Sequence, residues 1–270
     1  ALVPATTPGE PVPNLWGHQR ATVAVTVDIL RWLNDTPRSA TPPDEPGWAW
    51  RAMTTMLVPF KGLLRTHLAA PVADMTRDQL VPWGALVHPV PERIEGQLKD
   101  LKFANRATHY VERLVAGKAT FDDLATGRTI EPSAIPALTR RDVYHYYQVT
   151  RDAGAGAVLV ALAATLAVEP PSLSREVWHD SLDAAAVLLD GYFYHHKDVV
   201  KPPPLLRGRD LIKMGVPTGP LMGRLLAELE EEQAAGEVRT EDEARAFIKR
   251  GLEEAASATA STSDDEGDAA

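Results

Sequence analysis

The chain has no cysteine. That excludes a disulfide framework and a thiolate metal site, and it fits a reducing compartment. Nor do any two aspartates stand one residue apart; Asp122-Asp123 and Asp264-Asp265 are adjacent. The closely placed carboxylates that hold two metal ions for phosphoryl chemistry are therefore absent. A G-x-S-x-G nucleophile elbow and the glycine-rich phosphate loops G-x-x-x-x-G-K-[ST] and G-x-G-x-x-G are missing too. No apolar run reaches the length of a bilayer span, the longest being residues 153–168. There is no initiating Met and no leader pattern. The expectation is a soluble, cytoplasmic protein, compatible with a piece of a longer one, with no membrane partner.

At 270 residues and 44% hydrophobic content, the chain can bury one large helical core or two small ones. The net charge of −9 is unevenly spread. Residues 228–270 hold 14 acids and 4 bases, so they carry −10 and the remainder is close to neutral at +1. Nucleic acid is thus not excluded as a partner.

Apolar residues recur at three and four, with no sustained alternation, so the predicted fold class is all-α. Helices are expected over 16–33, 48–68 with a break near Pro59, 76–87 interrupted at Pro82, 97–116, 139–150, 153–167 and 173–195. Thr76 with Gln79 and Thr240 with Glu243 have capping-box spacing, the second opening a final helix to about 254. The prolines at 202–204 mark the boundary between two helical units, a multi-helical bundle over 14–201 and a small hairpin unit over 202–255. Residues 1–13 read as irregular and 256–270 as a disordered acidic tail.

The most specific stretch is residues 208–224. A short helix over 211–214 is stopped by Gly215, which tolerates the left-handed conformation, and Pro217 prevents its continuation. Thr218 is expected to cap the next helix, with Pro220 in its first turn. The free amides of that helix, beside Gly219 and Gly223, suit a phosphate. Lys197, Lys201, Arg207, Arg209, Lys213 and Arg224 supply a basic footprint around it, and a plain solvated face is the other reading. Two aromatic clusters, Tyr192, Tyr194, His195, His196 with Lys197 and Tyr144, His145, Tyr146, Tyr147, are suited either to bases or to a core.

The run GRDLIKMGVPTGPLMGRLLAELEEEQAAGEV resembles the C-terminal signature of bacterial tRNA nucleotidyltransferases, the CCA-adding enzymes, and their poly(A) polymerase relatives. Thr218 stands where that pattern has proline. The resemblance implies a C-terminal RNA-binding part, with Lys201, Arg207, Arg209, Lys213, Thr218, Gly219 and Arg224 on tRNA or another structured RNA and no DNA partner expected. ATP or CTP and Mg would belong to a catalytic head; this chain itself is expected to need no cofactor.

Many members of that family also contain an HD metal domain, and residues 17–19, 84–88, 98–114 and 159–167 resemble its outline. The ligands do not follow. Pro89 replaces the aspartate after His88, Ala164 replaces the later one, and His18 and His88 remain as a vestigial pair. The resemblance implies a degenerate HD-like unit without metal and without catalytic residues. A helical protein-interaction scaffold and a residual HD-type phosphohydrolase are the alternatives.

Overall fold

The structure is a computed structural model that describes residues 15–35, 47–89, 94–126, 138–167 and 173–264. It is all-α, as expected. In chain order the helices are α1 (Leu15–Leu33), α2 (Gly47–Leu57), α3 (Lys61–Leu68), α4 (Arg77–Val87), α5 (Ile94–Asp100) and α6 (Asn105–Thr126). Then come α7 (Arg140–Thr150), α8 (Gly154–Leu166), α9 (Arg175–Phe193), α10 (Gly208–Lys213), α11 (Pro220–Ala235) and α12 (Glu241–Asp264). Among the described residues the strands amount to one antiparallel pair, Pro71–Val72 with Met75–Thr76, turned through Ala73 at φ 58°.

Two compact units divide the chain: Ala1–Leu138 with His145–Tyr194, and Thr139–Tyr144 with His195–Ala270. The division comes at His195 rather than at the proline cluster, because the π-helical turn His196–Val200 packs against α11. The first turn of α7 belongs with the second unit for the same kind of reason, its arginines being bound to α11.

In the first unit, α8 is the central element. Its residues are small or aliphatic on every side, and Gly154 through Ala164 are all buried. It packs against α1, α4, α6 and α9. Small side chains let the neighbours come close: a Cβ added at Gly117 of α6 would lie 2.5 Å from Thr150 Cγ2 and 2.7 Å from Ala157 Cβ. At Gly156 it would meet Leu114 and Val81 at 2.9 and 3.0 Å. By length and hydropathy the helical stretch Arg140–Leu166 would suffice to cross a bilayer, but 72% of its apolar window is buried inside the fold. Outlying helices are pinned by side chains that reach backbone: the Trp178 indole N–H donates to Ala49 O at 3.1 Å, and the Tyr147 hydroxyl to Leu188 O at 2.9 Å.

Several local expectations are met. A 3₁₀ turn at Val58–Phe60 separates α2 from α3 around Pro59, and the Thr76 N–H donates to Gln79 Oε1 at 2.9 Å ahead of α4. Others are corrected. Pro82, the sixth of the eleven residues of α4, does not end it: its missing N–H removes one backbone bond, its fixed φ is helical, and the buried residues on both sides (Leu80, Val81, Gly84, Ala85, Val87) hold the helix through it. The helix expected over 97–116 is two helices. Lys102 adopts φ 63° and the Phe103 N–H turns back to Leu98 O at 3.0 Å, a C-terminal cap made without glycine. The last helix runs to Asp264, past the expected stop near 254 and into the stretch read as a disordered tail; residues 265–270, like 1–14, lie outside the described residues.

Gly117→Val should drive α6 away from Thr150 and Ala157 and lower unfolding free energy by about 1–3 kcal/mol in urea denaturation. Gly62→Ala, in α3 with open space around its Cβ position, should instead raise it by about 0.4–1 kcal/mol. Equal effects of the two substitutions would contradict the packing described for α6 and α8.

Candidate functional site

The second unit is built around a small apolar core of Leu206, Leu211, Val216, Leu225, Leu229, Val238, Ala244 and Ile248. Its approach is tight where α12 crosses α11, since a Cβ at Gly251 would stand 2.5 Å from Leu225 Cδ2. That core fixes the hairpin. The Arg207 N–H donates to the Asp210 carboxylate at 3.1 Å, which opens α10. Leu211 is fully buried and anchors it. At its end the Val216 N–H donates to Leu211 O and the Gly215 N–H to Ile212 O, both at 3.0 Å, with Gly215 at φ 88°. This is the six-residue helix stop that a left-handed glycine permits.

The entry to α11 differs from expectation. Thr218 does not cap it: the N-cap is Gly219, at φ 139° and ψ −158°, with no side-chain hydrogen bond to the helix. That backbone region is open essentially to glycine alone, so the turn depends on this residue's missing Cβ. Pro220 has no N–H, and the Gly223 N–H returns to Gly219 O at 3.2 Å. The amides of Leu221 and Met222 precede the first intrahelical bond, and they are the groups left to face a ligand.

The predicted cations are all on the surface, but Lys197 lies in, and Lys201 directly follows, the His196–Val200 turn, which Arg140 ties to the Ala234 end of α11 rather than to the Gly219 turn. Lys201, Arg207, Arg209, Lys213, Thr218, Gly219 and Arg224 are all exposed, as is Lys197. Arg209 and Lys213, four apart, share one face of α10. Two of the cations have acidic neighbours within their own helices: Lys213 Nζ is 3.9 Å from Asp210, and Arg224 Nε is 3.6 Å from Glu228. Such exposed pairs contribute little and leave the positive charge available to a stronger anion.

Three residues that the motif reading missed hold the hairpin's base. Gln233 donates through Nε2 to Pro203 O at 3.0 Å. Arg140 joins Ala234 O and Asp198 O at 3.0 and 2.9 Å, and Arg141 pairs with Glu231 and Glu232 at 2.5 and 3.0 Å. The one signal in sequence was charge complementarity between the two arginines after Thr139 and the acidic run 230–232.

His18 and His88 do come together, edge to face, with ring centroids 5.6 Å apart. No group of three or more His, Cys, Asp or Glu among the described residues is placed to hold a metal ion. A cation is already there. Lys118 pairs with Asp122 at 2.5 Å and its charge lowers the pKa of both histidines, burial being the larger cause in each. His88 donates from Nδ1 to Ala85 O at 2.8 Å and is pushed down to about 4. Among the described residues, His18 and His88 therefore have no third ligand grouped with them for a divalent ion.

The aromatic clusters divide. Tyr146 and Tyr147 are core residues, and Tyr192 stacks on Tyr147 at 4.9 Å. Tyr194 is 54% exposed but spends its hydroxyl on Pro59 O. His67, which motif reading passed over, accepts from Arg77 at Nδ1 (2.9 Å) and donates from Nε2 to Asp152 O (3.0 Å). Arg77 in turn bonds the Asp152 carboxylate at 2.8 Å. Burial, then the Arg77 charge, hold His67 down to about 4.

Neither a family model nor a solved structure matches the chain. A stretch of 54 residues, 20% of the chain, is 48% identical to the A-adding tRNA nucleotidyltransferase of Deinococcus radiodurans. The match spans 12% of that enzyme's length. The chain thus contains a region related to tRNA nucleotidyltransferases.

His67 and His88 are neutral in the fold but protonate near 6.5 when unfolded, so the unfolded chain binds more protons. Their contribution to stability is complete above pH 6.5 and is lost as pH falls toward 4. Urea unfolding across that window should show stability falling steadily, and His88→Gln should flatten the slope by about one proton's worth, roughly 1.4 kcal/mol per pH unit. An unchanged slope would show that His88 titrates normally.

Proposed function

We propose that this chain is an RNA-holding module, with tRNA as its natural partner, and that the α10–α11 hairpin grips the sugar-phosphate backbone. The observation that carries the reading is the Gly219 turn. It holds a glycine-only conformation and leaves the Leu221 and Met222 amides at the head of a helix, with Arg209, Lys213 and Arg224 exposed nearby. Positive helix ends and arginines suit phosphate oxygens, and such contacts position an RNA without reading its sequence. The partial identity to an enzyme that acts on tRNA supports the same partner.

Nucleotide addition is not assigned to these residues. It would require a head bearing paired carboxylates, where ATP or CTP and magnesium would act. The His18–His88 pocket is read as a degenerate HD-like unit whose metal position has been taken over by the charge of Lys118.

Titration of labelled tRNA against the protein at increasing salt tests this. Binding should weaken steeply with salt, and Arg209→Glu combined with Lys213→Glu should reduce affinity about tenfold or more while lowering the log–log salt slope by roughly 1.5–2. Gly219→Val should weaken binding as well, because a β-branched residue cannot hold the turn. Absent or salt-independent binding would overturn the reading in favour of a helical interaction scaffold.

A further inference from the structure

The first unit contains a cleft that the hairpin reading leaves unused. It has a volume of about 420 Å³ and lies between the start of α1, the second half of α4 and α5. Leu98 and Val87, both buried, line it. Trp83 lines it too, held by the edge-to-face contact of its ring with Phe103 at 5.1 Å. Trp16 also lines the cleft while remaining 62% exposed, which makes it the most exposed large hydrophobic side chain among the described residues.

Three polar side chains interrupt this apolar surface. Gln19 donates from Nε2 to Leu86 O at 2.8 Å, so its amide is fixed and its carbonyl oxygen is left to accept. Gln97 and Asp100, three apart on α5, add a further amide and a carboxylate. Acceptors outnumber donors in this set, and among the described residues the one formal charge in the lining is negative. A phosphate is therefore disfavoured here, and so is a purely apolar helix, which would strand those polar groups. A flat aromatic ring that donates from its edge satisfies both features: its faces stack on indole, and its amino group meets the carboxylate and amide oxygens. The volume lies within the roughly 300–1,000 Å³ usual for small-molecule sites.

We propose that this cleft takes one unstacked RNA base, with preference for bases carrying an exocyclic amino group over uracil. Trp16 is the stacking platform, and Asp100 with Gln19 receives the amino edge. The proposal rests on the reading of the chain as an RNA-holding module, but it places base contact on the first unit and on residues other than those assigned to the backbone.

The test uses the full chain with AMP and with fluorescein-labelled A5 and U5 oligoribonucleotides. A5 should bind more tightly than U5, Trp16→Ala should weaken A5 about tenfold, and Trp16→Phe should restore most of the loss. Asp100→Asn should shrink the difference between A5 and U5. AMP should quench a fluorescence component present in the unaltered protein and absent from Trp16→Ala. The Arg209→Glu, Lys213→Glu protein should keep that quench even where it loses salt-dependent RNA binding. Identical A5 affinity in the unaltered protein and Trp16→Ala, with no Trp16-dependent quench, would overturn the base site while leaving the hairpin reading intact. Trp16-dependent self-association in sedimentation, without any response to AMP, would overturn it by showing a protein-docking surface. A preserved AMP quench in a protein that binds no tRNA would uphold the cleft and sink the hairpin.

Discussion

Close approach of side chains to the bare backbone of glycines is the constraint on which the first unit depends. Gly154 and Gly156 in α8 and Gly117 in α6 leave no space for a Cβ, and their neighbours at 2.4–2.9 Å show how little room remains. Because α8 is apolar on all sides, it has to be enclosed, and α1, α4, α6 and α9 enclose it. Everything else in the unit is fastened to that frame by longer side chains. The indole of Trp178 and the hydroxyl of Tyr147 each satisfy a backbone carbonyl on another element, so burial does not leave those groups unpaired. The histidines follow from the same frame. His67 and His88 are kept neutral because burial and a nearby cation both disfavour their charge.

The second unit obeys a different logic. Its core is small, and much of its definition comes from backbone caps: Gly215 closing α10, Gly219 opening α11 and Gly236, at φ 83°, closing it. Three left-handed or otherwise glycine-favouring positions within 22 residues fix a short, rigid turn that its few buried side chains would not specify alone. Gln233 and the arginines at 140 and 141 hold its base by bonding to carbonyls and carboxylates. The result presents amides and cations outward while apolar side chains face in. Exposed amides and cations of this kind suit a polyanion of repeating phosphates.

Much of this was legible from residue types. The helical period, the capping pairs Thr76–Gln79 and Thr240–Glu243, the break at Pro59 and the left-handed Gly215 all follow from local chemistry, and local chemistry is what a sequence displays most directly. Failures came where context outweighed local preference. Lys102 took a glycine's role because Leu98 and the contact of Phe103 with Trp83 hold the chain there, and Pro82 in the middle of α4 was tolerated because the burial of Leu80, Val81, Ala85 and Val87 outweighs one lost backbone bond. Thr218 lost the cap to Gly219, whose conformation a threonine cannot adopt. The Trp16 cleft had no linear signature at all, since its walls come from three helices far apart in sequence.

The central claim is that the turn between α10 and α11 is where the RNA backbone sits. Backbone amide NMR of the ¹⁵N-labelled chain, titrated with a tRNA acceptor-stem duplex, tests it most directly. The account predicts that the largest shifts fall on Leu221, Met222 and Gly223 and on the α10 residues bearing Arg209 and Lys213. Binding that leaves those amides unmoved while shifting others would contradict it.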